Sequence, residues 1–442
     1  MLVLETYLEA WASPIGHLVK GDDGGLAFTY TADWLASTNN HALSLSLPLR
    51  EEPFDDVPVR AWFDNLLQEN DRLDAVMARE GIARNDIAGL LAHLGTDCAG
   101  AVSLLEPGSP PIKRPGDLQT DYDELNEEEL REIVERLATG KPLPNKLRDP
   151  SPVAGVRPKI SLAAVPSGRF ALPREGTGAP TTHILKLPDR NHPNEARDEA
   201  FVTWLAAQCG FPVGNCVANE VGGREVLLIE RFDRIVDGNA IYRTHVEDFA
   251  QATGLPAELK YERRGGEERR FDAQQIGRIL ASTDRPILSR DLFLRMTLFN
   301  FIVGNNDNHA KNHGLIHSGG GSIVLAPFYD LVPVQVVDDF TDEFAFKLGA
   351  AARPDELTMP DLEAFCADIG LPRSGAGRLL SAAARDLVEK IEGLSEGFPR
   401  DMKIFDNMLG ETLSQLDELL GLGATLRERD AHVTSGGGWS IS

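Results

Sequence analysis

A run of twelve residues, LFLRMTLFNFIV (292–303), ends directly in the nonapeptide GNNDNHAKN (304–312). This junction is the strongest constraint on the fold. A segment apolar on nearly every side has to be buried as a helix. The chain must then hold Asn305, Asn306, Asp307, Asn308, His309, Lys311 and Asn312 immediately behind that buried element. Buried polar groups need partners. The nonapeptide is therefore either a solvated turn, a position Asn and Asp favour, or a site that uses its polar atoms.

Bulk properties narrow the class. A chain of 442 residues has room for two or three domains at roughly 150 residues each. Its 42% hydrophobic and 25% charged residues are those of an ordinary globular protein. The four cysteines, Cys98, Cys209, Cys216 and Cys366, show no CxxC spacing. A disulfide framework and a structural zinc site are not expected, and a reducing cytoplasm is. The start, MLVLETYLEAWASP, lacks the basic region of a signal peptide. No window offers 18 uninterrupted apolar residues, so no membrane span is expected. The formal charge of −24 argues against gripping nucleic acid through the bulk surface, because phosphate contacts need Lys and Arg.

Along the chain, LAFTYT (26–31) and LSLSLPL (43–49) alternate as strands do, and AWFDNLLQENDRLDAVMARE has helical spacing. Residues 106–122 are rich in Pro, Gly and Ser and read as a linker or long loop. NEEELREIVERLA predicts an amphipathic helix with Leu130, Ile133, Val134 and Leu137 on one face. KISLAAV (159–165), THILKLP (182–188) and the start of REVLLIERFDR (224–234) predict strands. The helix EARDEAFVTWLAAQCG should end at Gly210. After 234 the chain is expected to be mostly helical, with Ser289 as the N-cap of the helix 290–303. Residues 322–330 read as a short extended piece, and 360–428 as several amphipathic helices. Strands first and helices later suggest two lobes.

Asp307 and Asn312 are five residues apart, and Asp330 follows in PFYDL. Phosphoryl transfer from ATP needs a carboxylate for the attacking hydroxyl, oxygen ligands for Mg²⁺ and a cation on the phosphates. The protein-kinase catalytic loop spaces its Asp and metal-binding Asn in this way, followed by a second metal-binding Asp. Oxygen ligands suit Mg²⁺. Lys186, in the apolar strand HILKLP, could supply the cation. A carboxylate such as Glu199 is an alternative partner for it, and a solvent-facing strand lysine is the bland reading. His309 and His313 have the i,i+4 spacing of metal ligands, but the Asn-rich run disfavours helix and offers no third nitrogen or sulfur.

Taken together, FTYTADWLAS, LSLSLPL, WFDNLL, VAGVRPK, THILKLP, IERFDR, GNNDNHAKN and PFYDL resemble the HipA-type serine/threonine kinases, the toxin half of bacterial toxin–antitoxin pairs. The motifs occur in the family's order over nearly the whole chain. The resemblance implies an α+β, two-lobed protein-kinase-like fold with an additional N-terminal α+β subdomain and an all-helical C-terminal lobe. The implied divisions are 1–110 for the N-terminal subdomain, 111–150 for a linker and acidic helix, 151–235 for the N-lobe core, 236–430 for the helical lobe and 431–442 for a flexible tail.

The resemblance also implies ATP and Mg²⁺. Asp307 would be catalytic, Asn312 and Asp330 would hold the metal, and Lys186 would contact phosphate. Val153, Ala154, Gly155, Val156, Arg157 and Lys159 would cover the phosphates, with Arg157 adding positive charge. Glu230, Arg231 and Phe232 would form the hinge that pairs with adenine. His309 and Lys311 join the nucleotide site on resemblance alone. Implied partners are an aminoacyl-tRNA synthetase as substrate, glutamyl-tRNA synthetase in the best-known case, and a HipB-type helix-turn-helix antitoxin that carries the DNA contacts and represses the operon jointly with the toxin. The chain departs from the family at the autophosphorylated serine. Pro152 stands there, and Ser151 is one place earlier. The alternative readings are a catalytically weak pseudokinase acting as corepressor and a small-molecule or lipid kinase. No basic membrane-binding segment favours the lipid version.

Overall fold

The computed structural model describes residues 1–9, 11–67, 71–98, 100–147, 157–336, 342–399, 402–427 and 429. Ser151, Val153, Ala154, Gly155 and Val156 lie outside the described residues, as does the tail GGGWSIS. The chain divides into two compact units, each built from non-consecutive segments. The first comprises Met1–Ala196, Asn215–Ala257 and Leu315–Val324; the second comprises Arg197–Gly214, Glu258–Gly314 and Leu325–Ser442.

The first unit opens with a four-stranded antiparallel sheet in the order Leu26–Tyr30, Gly16–Lys20, Leu2–Leu8, Val102–Leu105. LAFTY alternates as expected, and its inward residues Leu26, Phe28 and Tyr30 join Leu4, Leu18, Trp62, Phe63, Leu90 and Leu91 in one core. LSLSLPL does not form the expected strand, although it alternates. Ser44 Oγ donates to Glu247, the Leu45 amide donates to the same carboxylate, and Ser46 Oγ donates to the Gln251 carbonyl. These side-chain bonds replace a ladder, leaving an isolated Ser44–Leu47 bridge. The single helical run read at 61–80 is two helices, Asp56–Asp64 and Asp71–Glu80. Asn65 ends the first by donating through Nδ2 to the Ala61 and Leu255 carbonyls.

A six-stranded sheet follows, ordered Cys216–Val221, Arg224–Glu230, His183–Lys186, Lys159–Ala164, Phe170–Pro173, Tyr122–Glu124. Ile160, Leu162, Leu185, Leu187, Val226 and Leu228 pack with Ile133 and Val134 of the helix Glu127–Thr139. That helix begins in an Asn126–Glu129 capping box and ends at left-handed Gly140.

Two expectations need correcting here. The segment 106–122 is not simply a linker. Gly116–Asp117 pairs with the strand Ala240–Arg243, and the buried Lys113 ammonium donates to the Cys98 and Gly100 carbonyls at 2.5 and 2.8 Å. The chain after 234 is also not helical at first. Arg234–Asp237 and Ala240–Arg243 form a hairpin, because left-handed Gly238 allows the turn. His245–Asp248 then heads a three-stranded sheet with Gly314–Ser318 and Ser322–Leu325. Beside it the rings of His41, His245 and His317 group with centroids 5.3 to 6.1 Å apart. His317 Nε2 lies 2.8 Å from Glu247 Oε1, and His245 Nε2 lies 2.7 Å from the Leu43 carbonyl.

In the second unit the apolar run is the C-terminal part of the helix Pro286–Ile302. It starts four residues before the expected point, because Pro286 is pre-organised for the first turn. Ser289 is an interior residue whose hydroxyl shares a 2.8 Å bond with Thr283. Phe293, Leu294, Met296, Leu298, Phe299, Phe301 and Ile302 are all buried. The helices Met359–Asp368, Ala376–Ser395 and Lys403–Leu420 complete the C-terminal part. The long central helix ends at Gly304, whose φ is 68°. A Cβ there would sit 2.7 Å from Met408 Sδ. Among the described residues no helix is long and apolar enough to cross a membrane.

Candidate active site

The nonapeptide is not a solvated turn. Asn305, Asn306, Asn308, His309 and Asn312 are all buried. Their polar atoms hold the loop in place. The Asn305 amide and Nδ2 both donate to Asn300, the residue one turn back in the helix. Asn306 Nδ2 donates to the Asp342 carbonyl. The Ala310 amide donates to the Lys260 carbonyl, and His313 Nε2 lies 3.0 Å from the Asn308 carbonyl. Tyr329 Oη donates to the Lys311 carbonyl at 2.8 Å, tying the loop to the segment that carries Asp330.

Asp307 is held through its backbone. Its amide donates to Asn305 Oδ1, and its carbonyl accepts from the His309 amide at 2.8 Å and from Asn312 Nδ2 at 2.9 Å. Its carboxylate accepts from Tyr261 Oη at 2.6 Å. Burial raises the carboxyl's proton affinity above its usual range, and the charge of Asp330 adds to that. The Tyr261 bond and the cations Lys260 and Arg263 act in the opposite direction. Asp330 has φ 58°, the only left-handed non-glycine residue among the described ones. Such backbone is retained where the surroundings impose it.

His309 packs edge-on against Tyr261, with ring centroids 5.0 Å apart. Burial lowers its pKa to about 3, so the ring is neutral at physiological pH. Among the described residues no three His, Cys, Asp or Glu side chains gather as a metal-binding group.

Magnesium is a different case, because it takes one or two protein oxygens and completes its shell with water and substrate phosphates. The donor chemistry fits. The Asn312 amide nitrogen is used inside the loop, leaving an oxygen as the ligating atom. A cation near Asp330 would also offset the repulsion that raises Asp307.

The remaining expected residues lie in the first unit. Lys186 stands directly opposite Lys159 in the antiparallel ladder, so both side chains share one sheet face. Leu185 and Leu187 point the other way, into the core. Arg157 was expected to add to this charge, but it is ion-paired with Asp189 and with Glu195 at 3.0 Å, which offsets it. In the expected hinge, the Glu230 and Arg231 amides already donate to the Asn215 and Thr182 carbonyls, just beyond the strand ends. The Arg231 guanidinium is locked on Asp233 by two bonds of 2.9 and 2.8 Å. Sequence reasoning missed Tyr261, which lies 46 residues before Asp307 in no spacing pattern.

An Asp–Asn loop fixed behind a buried helix, with a second aspartate in a constrained backbone, is the kind of oxygen set that phosphoryl-transfer proteins use. The comparisons agree on the family. The model for the HipA-like C-terminal domain matches residues 151–391, and that for the HipA N-terminal domain matches residues 7–105. The chain belongs to the HipA family. It is 33% identical over 391 residues to Y4mE of Sinorhizobium fredii, whose name proposes a kinase; the match covers 86% of this chain and 90% of that protein. It is 29% identical over 379 residues to the serine/threonine-protein kinase toxin HipA of Shewanella oneidensis, covering 83% of each. The structure of Shewanella oneidensis MR-1 HipA, solved with HipB and operator DNA, superposes with a TM-score of 0.76 at 26% identity, over 95% of this chain and 97% of that one.

Proposed function

We propose that this protein is an ATP-dependent serine/threonine protein kinase, the toxin of a toxin–antitoxin pair. The observation that carries the reading is Asp307, half-buried with its backbone held by Asn305, His309 and Asn312, and with the charge of Asp330 adding to the effect of burial on its proton affinity. In the transfer, the acceptor hydroxyl oxygen bonds to the γ-phosphorus and the bond to the β–γ bridging oxygen breaks, releasing ADP. Asp307 accepts the hydroxyl proton. Asn312 and Asp330 would hold magnesium, which when bound offsets charge on the phosphates. Lys186 and Lys159 would contact phosphate from their shared sheet face. Val153–Val156 would cover the phosphates, Glu230–Phe232 would border the adenine, and His309 and Lys311 would line the nucleotide site.

The acceptor on this reading is a serine of a translation protein, an aminoacyl-tRNA synthetase such as glutamyl-tRNA synthetase. Its modification would slow translation and growth and promote persistence. A HipB-like antitoxin would neutralise the kinase and repress the operon with it in the cytoplasm. The solved Shewanella HipA complex with HipB and DNA supports the partner. The charge of −24 supports leaving DNA contact to the antitoxin. Ser151 is the proposed autophosphorylation site in place of Pro152.

The test is labelling from γ-³²P-ATP with Mg²⁺, using glutamyl-tRNA synthetase and the chain itself as acceptors. Asp307→Asn keeps the volume and removes the base, so labelling is expected to fall at least about 100-fold. Undiminished labelling would refute the assignment. A wild-type chain that binds nucleotide without transferring phosphate would indicate the pseudokinase reading.

A further inference from the structure

Among the described residues, one of the two oxygens of the Asp307 carboxylate is engaged. Among the described residues Tyr261 makes the one hydrogen bond to this carboxylate, from Oη to Oδ1 at 2.6 Å. We infer that Tyr261 is a positioning residue for phosphoryl transfer: it fixes the Asp307 carboxylate through Oδ1 so that Oδ2 is presented to the acceptor hydroxyl. The inference rests on the kinase reading above.

A carboxylate rotates about its last torsion with little preference. The backbone bonds of Asp307 fix its Cα but leave that torsion free. A single strong donor on one oxygen removes the freedom, and transfer geometry is intolerant of small displacements. Tyr261 is itself well held. The Lys260 carbonyl on one side accepts from Ala310. On the other side the Glu262 amide donates to the Ala345 carbonyl, and the Glu262 carboxylate accepts from the Lys347 amide at 2.7 Å.

The Tyr261 ring lies edge-on to His309 and is flanked by cations: Arg263 at 4.2 Å, Arg264 at 5.0 Å and Lys260 at 5.5 Å from its centroid. These contacts belong to the ring, not to the hydroxyl. Among the described residues the hydroxyl's hydrogen-bond partner is Asp307. Burial and the neighbouring Asp307 charge raise the phenol's pKa above its usual value, so it stays a donor. The backbone of Asp307 is held separately, by Asn305, His309 and Asn312, so loss of this bond is expected to leave the fold intact.

The test is Tyr261→Phe in the full chain, which keeps the ring and its cation contacts. With glutamyl-tRNA synthetase or the chain itself as acceptor, kcat is expected to fall at least about tenfold, with KM for ATP and the melting temperature unchanged. In an Asp307→Asn background the same change should have no further effect on the residual rate, because the residue acts only through Asp307. A merely structural role would instead lower stability and add to the loss in that background, and so would overturn the inference.

A second readout needs no activity. The chain has six tyrosines. In protein labelled at tyrosine ¹³Cζ, the resonance lost in Tyr261→Phe should shift in Asp307→Asn. An unmoved resonance overturns the inference whatever the rates. Wild-type chain that transfers no phosphate refutes the kinase reading and this inference with it. Transfer by Tyr261→Phe within twofold of wild type refutes this inference alone.

Discussion

At the scale of single residues, Asp330 separates charge from backbone. Its φ of 58° is one that Asn tolerates about as well as Asp, while a residue with an ordinary Cβ pays roughly 1 kcal/mol or more there. Asp330→Asn also removes a charge that adds to the effect of burial on the Asp307 carboxyl. It is expected to be at least as stable as wild type in urea denaturation, whereas Asp330→Ala should lose about 1 kcal/mol. Both should lose Mg²⁺-dependent labelling. Equal stability of the two variants would show that the backbone there carries no strain. The spacing of Asp307 and Asn312 was legible in the sequence because a short loop sets it. Tyr261 was not, because a contact across 46 residues leaves no local pattern. The pairing of Arg157 with Asp189 and Glu195 was hidden for the same reason.

At the scale of elements, the helix Pro286–Ile302 and the glycine that ends it set where the loop begins. Gly304→Ala combines a left-handed backbone with a Cβ 2.7 Å from Met408 Sδ. The expected cost is about 1–3 kcal/mol, read as a lower denaturation midpoint with an unchanged slope. Labelling per folded molecule should fall as well, since Asn305 follows directly and starts the anchoring of the loop. Strands such as Lys159–Ala164 and His183–Lys186 were legible because β-branched, alternating segments suit a half-buried sheet. LSLSLPL shows the limit of that reasoning. Its period is that of a strand, yet Glu247 and Gln251, some 200 residues on, take the hydrogen bonds of its serines. Helix starts were equally exposed to competition, as Pro286 displaced Ser289.

For the molecule as a whole, the histidine group of the first unit predicts a pH dependence. Burial lowers the pKa of both His41 and His245 from the ordinary 6.5, and neighbouring histidines add to the effect. The unfolded chain therefore binds more protons than the folded one below that value. The stability contribution is complete above pH 6.5 and is lost as pH falls below it, by up to about 1.4 kcal/mol per pH unit for each histidine. Urea midpoints should drop between pH 6.5 and 5 in wild type and drop less in His245→Gln; parallel slopes would count against the assignment. Local composition cannot reveal that each unit is made of three separate segments. That discontinuity has a consequence for synthesis. The first unit lacks a strand pair until residue 324 has left the ribosome, and the second lacks the helix Lys403–Leu420 until later still. The first half can close only once residue 324 has emerged and the second later still, and no single cut point leaves each unit whole in one piece.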